Sequence, residues 1–286
     1  MAHDGHPFDQ AIALVAQGPD RWRGHTRAAY WNMVGPFGGI TAATVLQAVL
    51  RHPQCLGVPV ALTVNYAAAL VAGPFTVTAR AARTNRSTQH WVVEVTQEAP
   101  GADGRADTGV VLTATVLTAL RRDTWGIQDT PMPAVPMPQD VVSPPPWHAP
   151  IEWIKRYEVL QLQGPLPGEW DGAVSTLGPD EASLSRLWMR DAPPRPLDYA
   201  SLAALADVFF PRVYLRRARR VPAGTVSMTV YFHADDALLR EVGDGYVLGQ
   251  ARAHAFHAGF HDQSAQLWSA CGKLLATSLQ MVYYKE

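Results

Sequence analysis

The sequence predicts an α+β protein built from two similar units, each an antiparallel sheet curled around a single apolar helix. Three observations lead there. A proline-rich run, TPMPAVPMPQDVVSPPPWHAP, divides the 286-residue chain into parts of similar size. Each part carries one apolar helix-forming run. In each part that run is followed, in the same order, by β-branched segments of alternating polarity.

In the first part the helix is ITAATVLQAVLRHP, after the glycines of GPFGG. ITAATVLQAVL has no charged residue, so this helix is expected to be buried on nearly every side. The strands PVALTVNYA, GPFTVTARAARTN and GVVLTATVLTALRR follow. In the second part the helix is DYASLAALADVFFP, with Asp198 as its N-cap and Pro211 as its stop. Its strands are GTVSMTVYFHA, GYVLGQARAHAFH and KLLATSLQMVYY. The phrase A-R-A recurs at Ala79-Arg80-Ala81 and Ala251-Arg252-Ala253. Gly243-Asp244-Gly245 reads as a hairpin turn before a strand. Each helix is expected to carry about five or six strands around it. An internal duplication is the economical account: units at residues 1–120 and 151–286, joined by an extended proline-rich linker over 121–150 lying on the surface.

Composition narrows the function. With 48% hydrophobic and 17% charged residues the chain can bury a sizeable core. A net charge of −1 supplies no global basic field for DNA or RNA. The two cysteines, Cys55 and Cys271, exclude a disulfide framework and a four-cysteine zinc site. No run reaches the roughly 20 apolar residues of a membrane helix, and MAHDGHPFDQ lacks a signal-peptide pattern. A soluble cytoplasmic protein is expected.

Several motifs are absent. There is no G-x-S-x-G elbow for a serine esterase and no P-loop. His254, His257 and His261 form H-x-x-H-x-x-x-H, but positions 254 and 257 of a strand point to opposite faces, so strand and hairpin histidines are expected and no metal. Arg216, Arg217, Arg219 and Arg220 form a basic cluster, either a solvated loop or an anchor for ligand phosphates. Arg83 and Arg86 are the fallback anchor.

Asp207 is the one acid in the apolar run LAALADVFF. At helical spacing it shares a face with Ala200, Ala203 and Ala204, small enough to let another group approach. It is a general-base candidate or a helix-end acid paired elsewhere. Laying the halves on one another sharpens the choice. Asp207 then falls on Val49, Thr225 on Pro59 and Gln280 on Val116, three polar positions against three apolar ones. One half keeps a polar site and the other becomes scaffold.

The chain resembles the double-hotdog acyl-CoA thioesterases of the bacterial thioesterase II kind. The residues that carry the likeness are GPFGGITAATVLQAVL, RLWMRDAPPRPLDYASLAALADVFFP, GTVSMTVYFHA and LLATSLQMVYY. The resemblance implies a double hotdog and a hydrolytic water held by an Asp, a Thr or Ser and a Gln. Here those would be Asp207, Thr225 and Gln280. The chemistry of the residues agrees: Asp207 accepts a proton, Thr225 and Gln280 orient water, and a helix N-terminus at Gly38 and Gly39 offers amides to the thioester oxygen. For these glycines the alternative is tight helix packing. The acyl chain is expected beside the second helix, along Leu202, Leu205, Phe209 and Phe210, which are also ordinary core residues.

The expected function is hydrolysis of acyl-CoA to free acid and CoA without metal or organic cofactor, by a homodimer or higher even oligomer. One alternative is a non-catalytic acyl or acyl-CoA binder in which Asp207 is structural. Another is a hydratase, which needs a helix histidine that the second helix lacks.

Overall fold

The computed structural model describes residues 5–100, 106–142 and 151–286. Residues 1–4 of the N-terminal segment and residues 143–150 of the proline-rich run lie outside the described residues. The N-terminal half holds α1 (Pro7–Ala11), β1 (Val15–Ala16), β2 (Arg21–His25), α2 (Gly38–Leu50), β3 (Val58–Tyr66), β4 (Pro74–Thr84), β5 (Thr88–Pro100) and β6 (Ala106–Ala119). The C-terminal half holds β7 (Tyr157–Gln163), β8 (Ser185–Asp191), α3 (Tyr199–Leu205), α4 (Arg212–Arg216) and β9 (Ala223–Phe232). It continues with α5 (Asp236–Val242), β10 (Val247–Arg252), β11 (Phe256–His257), β12 (Phe260–Ser269) and β13 (Leu274–Tyr284).

The strands form one sheet in the order β1-β2-β4-β5-β6-β3-β9-β13-β12-β10-β8-β7, with the short β11 paired to β12. Outward from the β3–β9 junction, the two halves repeat the same connection pattern. At the junction Thr63 faces Thr229, their hydroxyl oxygens 3.0 Å apart.

The repeat extends to irregularities. Val111 bulges out of β6 and Leu275 out of β13. Each bulged carbonyl accepts two consecutive N–H groups: Val111 from Ala67 and Ala68, both at 3.0 Å, and Leu275 from His233 and Ala234 at 2.9 and 3.0 Å. A second pair of bulges leaves Val60 of β3 and Val226 of β9 without a partner residue. Bulges re-aim the side chains that follow them. Their recurrence fixes the correspondence between halves: Thr225 on Pro59, Gln280 on Val116 and Phe232 on Tyr66.

Both helices are enclosed by the sheet. Ala42, Ala43, Val45, Leu46, Ala48 and Val49 of α2 are fully buried, as are Leu202, Ala203 and Ala204 of α3. Alanines let the two helices close on each other. At Gly39 even a Cβ has no room, since it would lie 2.6 Å from the Ala204 carbonyl oxygen.

Three local expectations change. The second helix has its N-cap at Asp198, whose side chain accepts the Ser201 N–H, but it ends at Leu205 rather than at Pro211. Beyond that point Asp207 N–H bonds to the Ala204 carbonyl at 3.0 Å in a tightened last turn, and the Gln280 amide takes the Ala206 carbonyl at 3.3 Å. A side chain thus satisfies a helix-end carbonyl that another turn would have covered. Counted from the N-caps Phe37 and Asp198, Asp207 falls on Leu46 rather than Val49; both are fully buried apolar positions. Gly243-Asp244-Gly245 is not a hairpin turn. Gly243, at φ +56°, ends α5 and leads into β10.

The described part of the proline-rich run is not a free spacer. Met132, Val135, Met137 and Val141 pack on Trp188, Leu248 and Trp268, on the outer face of the C-terminal sheet. Both tryptophans are fully buried there and donate their indole N–H into the run, Trp188 to Pro136 at 2.9 Å and Trp268 to Thr130 at 3.3 Å. An extended segment without a ladder of its own has carbonyls to offer, and the indoles use them.

Candidate active site

Three elements of the C-terminal half bring Asp207, Thr225 and Gln280 together. Gln280 lies on the inner face of β13, opposite Met228 of β9. Regular alternation from Met228 would turn Thr225 outward. The bulge at Val226 shifts the phase by one residue, and Thr225 turns in beside Gln280.

The hydrogen bonds run one way. Thr225 Oγ1 donates to Gln280 Oε1 at 3.1 Å, and Gln280 Nε2 donates to Asp207 Oδ1 at 2.9 Å. Because Gln280 Nε2 also donates to the Ala206 carbonyl, both of its protons are committed. It is a strut between Thr225 and Asp207.

The N-terminal half closes the site from the other side. Asp207 Oδ2 occupies the space of a missing side chain, 2.8 Å from where a Gly38 Cβ would stand, with the Tyr66 hydroxyl 3.4 Å from the same point. Tyr66 donates to the Gly38 carbonyl at 2.9 Å. The backbone N–H of Gly39 faces the carboxylate. Gly38 and Gly39 form the first turn of the thirteen-residue α2, whose dipole favours negative charge at this end.

Burial dominates the electrostatics. It pushes the Asp207 pKa up from the usual carboxylate range to about 7, against the opposing pull of the Gln280 hydrogen bond and the Gly39 amide. Protein encloses the charged end of Asp207, yet the residue as a whole keeps some surface open to solvent. Burial, with Asp207 adding to it, also holds the Tyr66 hydroxyl firmly protonated. Such a carboxyl changes charge near neutral pH, the condition for a general base.

The other expected site residues are spread more widely. Gly38 touches the carboxylate, whereas Gly39 also serves helix packing, as the alternative reading had it. Leu202, Leu205 and Phe209 are core residues, and Phe209 packs where a side chain on Gly249 of β10 would go. Phe210 is partly buried. A cleft lies instead beside α2, lined by Tyr30, Ile40, Thr41, Thr44, Leu70 and Phe75. Thr41 and Thr44 return their hydroxyls to the Phe37 and Ile40 carbonyls, at 3.3 and 2.8 Å.

The arginine cluster is only partly free. Arg216 donates to the Ser175 carbonyl at 2.8 Å, Arg217 pairs with Glu286, and Arg220 stacks over Trp170 at 4.8 Å. Arg219 is exposed. His254 pairs with Asp262 at 2.5 Å, while His261 is buried against Phe256 and Tyr284. Among the described residues no group of three metal-ligating side chains converges.

Two residues escaped the sequence reading. Tyr66 is one; its signal was the Tyr66/Phe232 difference within otherwise matching strands. Arg212 is the other. It is buried, donates to the Phe210 and Ser183 carbonyls, and so ties the loop after Asp207 to the segment leading into β8.

Comparison with known proteins agrees with this layout. Residues 27–119 match the model of the acyl-CoA thioesterase N-terminal domain, and residues 130–284 that of the acyl-CoA thioesterase C-terminal domain. Among solved structures, a hot-dog-fold protein of unknown function from Alicyclobacillus acidocaldarius is 45% identical over 99% of both chains, with a TM-score of 0.86. An acyl-CoA thioesterase II from Mycobacterium marinum shares the fold at 16% identity, covering 97% of this chain and 98% of its own, with a TM-score of 0.68. The tesB protein of Mycobacterium avium subsp. paratuberculosis does so at 16% identity over 98% of both chains, with a TM-score of 0.71. No curated protein matches the sequence. With both halves of its double hotdog matched, the chain belongs to the acyl-CoA thioesterase family.

Proposed function

We propose that the protein hydrolyses acyl-CoA thioesters with a water activated by Asp207. The observation that carries this reading is the chain Thr225–Gln280–Asp207, which ends on a carboxyl whose pKa lies near 7. Gln280 fixes the Asp207 carboxylate through Oδ1, which leaves Oδ2 for the water. Thr225 has given its proton to Gln280, so its oxygen accepts a hydrogen bond from that water. Asp207 removes a proton as the water attacks the thioester carbon. The Gly38 N–H at the start of α2 has no partner within the helix and is the donor proposed for the developing oxyanion. The tetrahedral intermediate then collapses with loss of the CoA thiolate, which takes up the proton held by Asp207, giving free acid and CoA and restoring the carboxylate. CoA enters as part of the substrate, and this route calls on no metal or organic cofactor.

The cleft beside α2 begins within a turn of Gly38, which favours it over the fully packed surroundings of α3 as the place for the acyl group. Arg219 and Arg220 are the members of the cluster with the most freedom to meet CoA phosphates, since Arg216 and Arg217 are already engaged. Tyr231, Leu279 and Met281 expose apolar surface on the outer face of β9 and β13, which supports association of two or more copies. Light scattering at micromolar concentration decides that point, and a 31.2 kDa species counts against it.

The experiment for the function is release of free thiol from a panel of acyl-CoAs. Turnover by wild type and its loss in Asp207→Asn support hydrolysis. Saturable acyl-CoA binding with no thiol release supports the non-catalytic binder.

A further inference from the structure

Gly38 and Gly39 share one peptide group. Its carbonyl is the acceptor for Tyr66, and its N–H, which belongs to Gly39, lies beside Asp207, whose Oδ2 sits 2.8 Å from where a Gly38 Cβ would stand and whose ionised form the amide favours. The two ends of a peptide group are conjugated. A hydrogen bond on the oxygen draws electron density through the C–N bond and makes the N–H a stronger donor.

The C-terminal half supplies the contrast. There Phe232 stands in the place of Tyr66, and α3 opens with Tyr199 where α2 opens with Gly38. Phe232 and Tyr199 meet edge to face, ring centroids 5.7 Å apart, and the Tyr199 hydroxyl turns to the Ala234 carbonyl at 3.3 Å. The ring at the helix start fills its own corner. In the N-terminal half a glycine opens the helix, a strand tyrosine brings a hydroxyl to the first carbonyl, and Asp207 fills the space.

We propose that Tyr66 is a positioning residue of the Asp207 site, acting on the carboxylate through the peptide group that joins Gly38 to Gly39. The inference deepens the reading of Asp207 as the base and rests on it for its kinetic consequence. The titratable groups that face Asp207 are the hydroxyls of Tyr66 on β3 and Tyr157 on β7, both held protonated by burial. No charged side chain among the described residues acts on it. The amide of Gly39 favours the ionised form, so weakening that donor moves the Asp207 pKa upward from about 7.

The test is the titration of the Asp207 carboxyl carbon by NMR on protein labelled at aspartate, with Asp207→Asn to assign the signal. In Tyr66→Phe the carboxyl should titrate about 0.3 pH unit or more above wild type, the scale of cooperative strengthening between neighbouring hydrogen bonds. Incorporation of 3-fluorotyrosine at Tyr66, a more acidic donor of nearly the same shape, should move it the other way; this holds the proposal to account should Tyr66→Phe fold poorly. For thioester hydrolysis, kcat/KM of Tyr66→Phe should fall about twofold at pH 6 and be nearly unchanged at pH 9. An unchanged Asp207 titration, or a loss of equal size at both pH values, leaves Tyr66 a packing residue only and overturns the proposal. Absence of hydrolysis in wild type overturns the reading of Asp207 as a base, while the carboxyl titration still decides the part played by Tyr66.

Discussion

The N- and C-terminal halves share a strand order, a central pair of threonines and two pairs of bulges, and they part company where side chains meet the helix starts. Pro59 and Thr225 immediately precede equivalent bulges and are turned the same way. One has a hydroxyl to offer and the other a ring without an N–H. Val116 and Gln280 sit at equivalent points of their closing strands, yet only Gln280 can take a helix-end carbonyl and hold a carboxylate. The shorter α3, seven residues against thirteen in α2, frees Asp207 to turn toward Gly38. The backbone device is common to both halves, bulge and sheet register alike, and a few side chains decide which half carries the polar chain. The site nevertheless needs both halves, because Gly38, Gly39 and Tyr66 form its opposite wall.

Several changes would break or sharpen this contrast. The largest effect is expected from Asp207→Ala, which should cost about 10²-fold or more in kcat for thioester hydrolysis, the usual scale for a lost general base. Next is Gly38→Ala. Its new Cβ would meet Asp207 Oδ2 at 2.8 Å, so the carboxylate must move, and a misplaced group costs on the order of 10²-fold while folding is largely kept. Circular dichroism beside a thiol-release assay checks both parts.

Thr225→Val and Gln280→Leu should each lower kcat by roughly tenfold to 10²-fold. As neighbours in one hydrogen-bonded chain that ends on Asp207, the two should not add: the double variant should be little worse than the poorer single one. Additive losses would show that the hydrogen-bonded chain is not one device.

Stability should respond to pH with a definite sign. Asp207 and Asp191 are both pushed up by burial, to about 7 and about 6, from 3.8. Between about pH 4 and these values the folded protein holds protons that the unfolded chain has released, so stability falls as pH rises through that window. Asp207→Asn removes the cost of ionising the buried group. Its melting temperature should exceed that of wild type at pH 8, by a few degrees, and the gain should shrink at pH 5. Calorimetry at the two pH values measures it. The smallest effect is expected from Arg219→Ala with Arg220→Ala: a few-fold rise in KM for acyl-CoA at low salt that fades at high salt, with kcat nearly unchanged.

Much of the architecture was legible in the residues. Alternating β-branched runs marked strands that follow each helix along the chain, and the uncharged ITAATVLQAVL marked a helix buried all round, because periodicity and charge are local properties. The helix end at Leu205 was not legible. It depends on Gln280, distant in sequence, taking the Ala206 carbonyl. The covering role of residues 130–142 was hidden for a similar reason, since proline content marks an extended chain but not the tryptophans it will cover. Within the site, Asp207, Thr225 and Gln280 stood out because their counterparts are apolar. Tyr66 did not, because Tyr against Phe looks conservative until the single hydroxyl is traced to Gly38.

The claim that the polar chain of the C-terminal half is a catalytic device stands or falls on kcat/KM for acyl-CoA hydrolysis, measured from pH 5 to 9 for wild type and Asp207→Asn. Wild type should rise through an acid limb near the Asp207 value of about 7 and level off above it. Asp207→Asn should lie about 10²-fold below wild type at pH 8 and lack that limb. A folded Asp207→Asn protein with the turnover and pH profile of wild type would contradict the account.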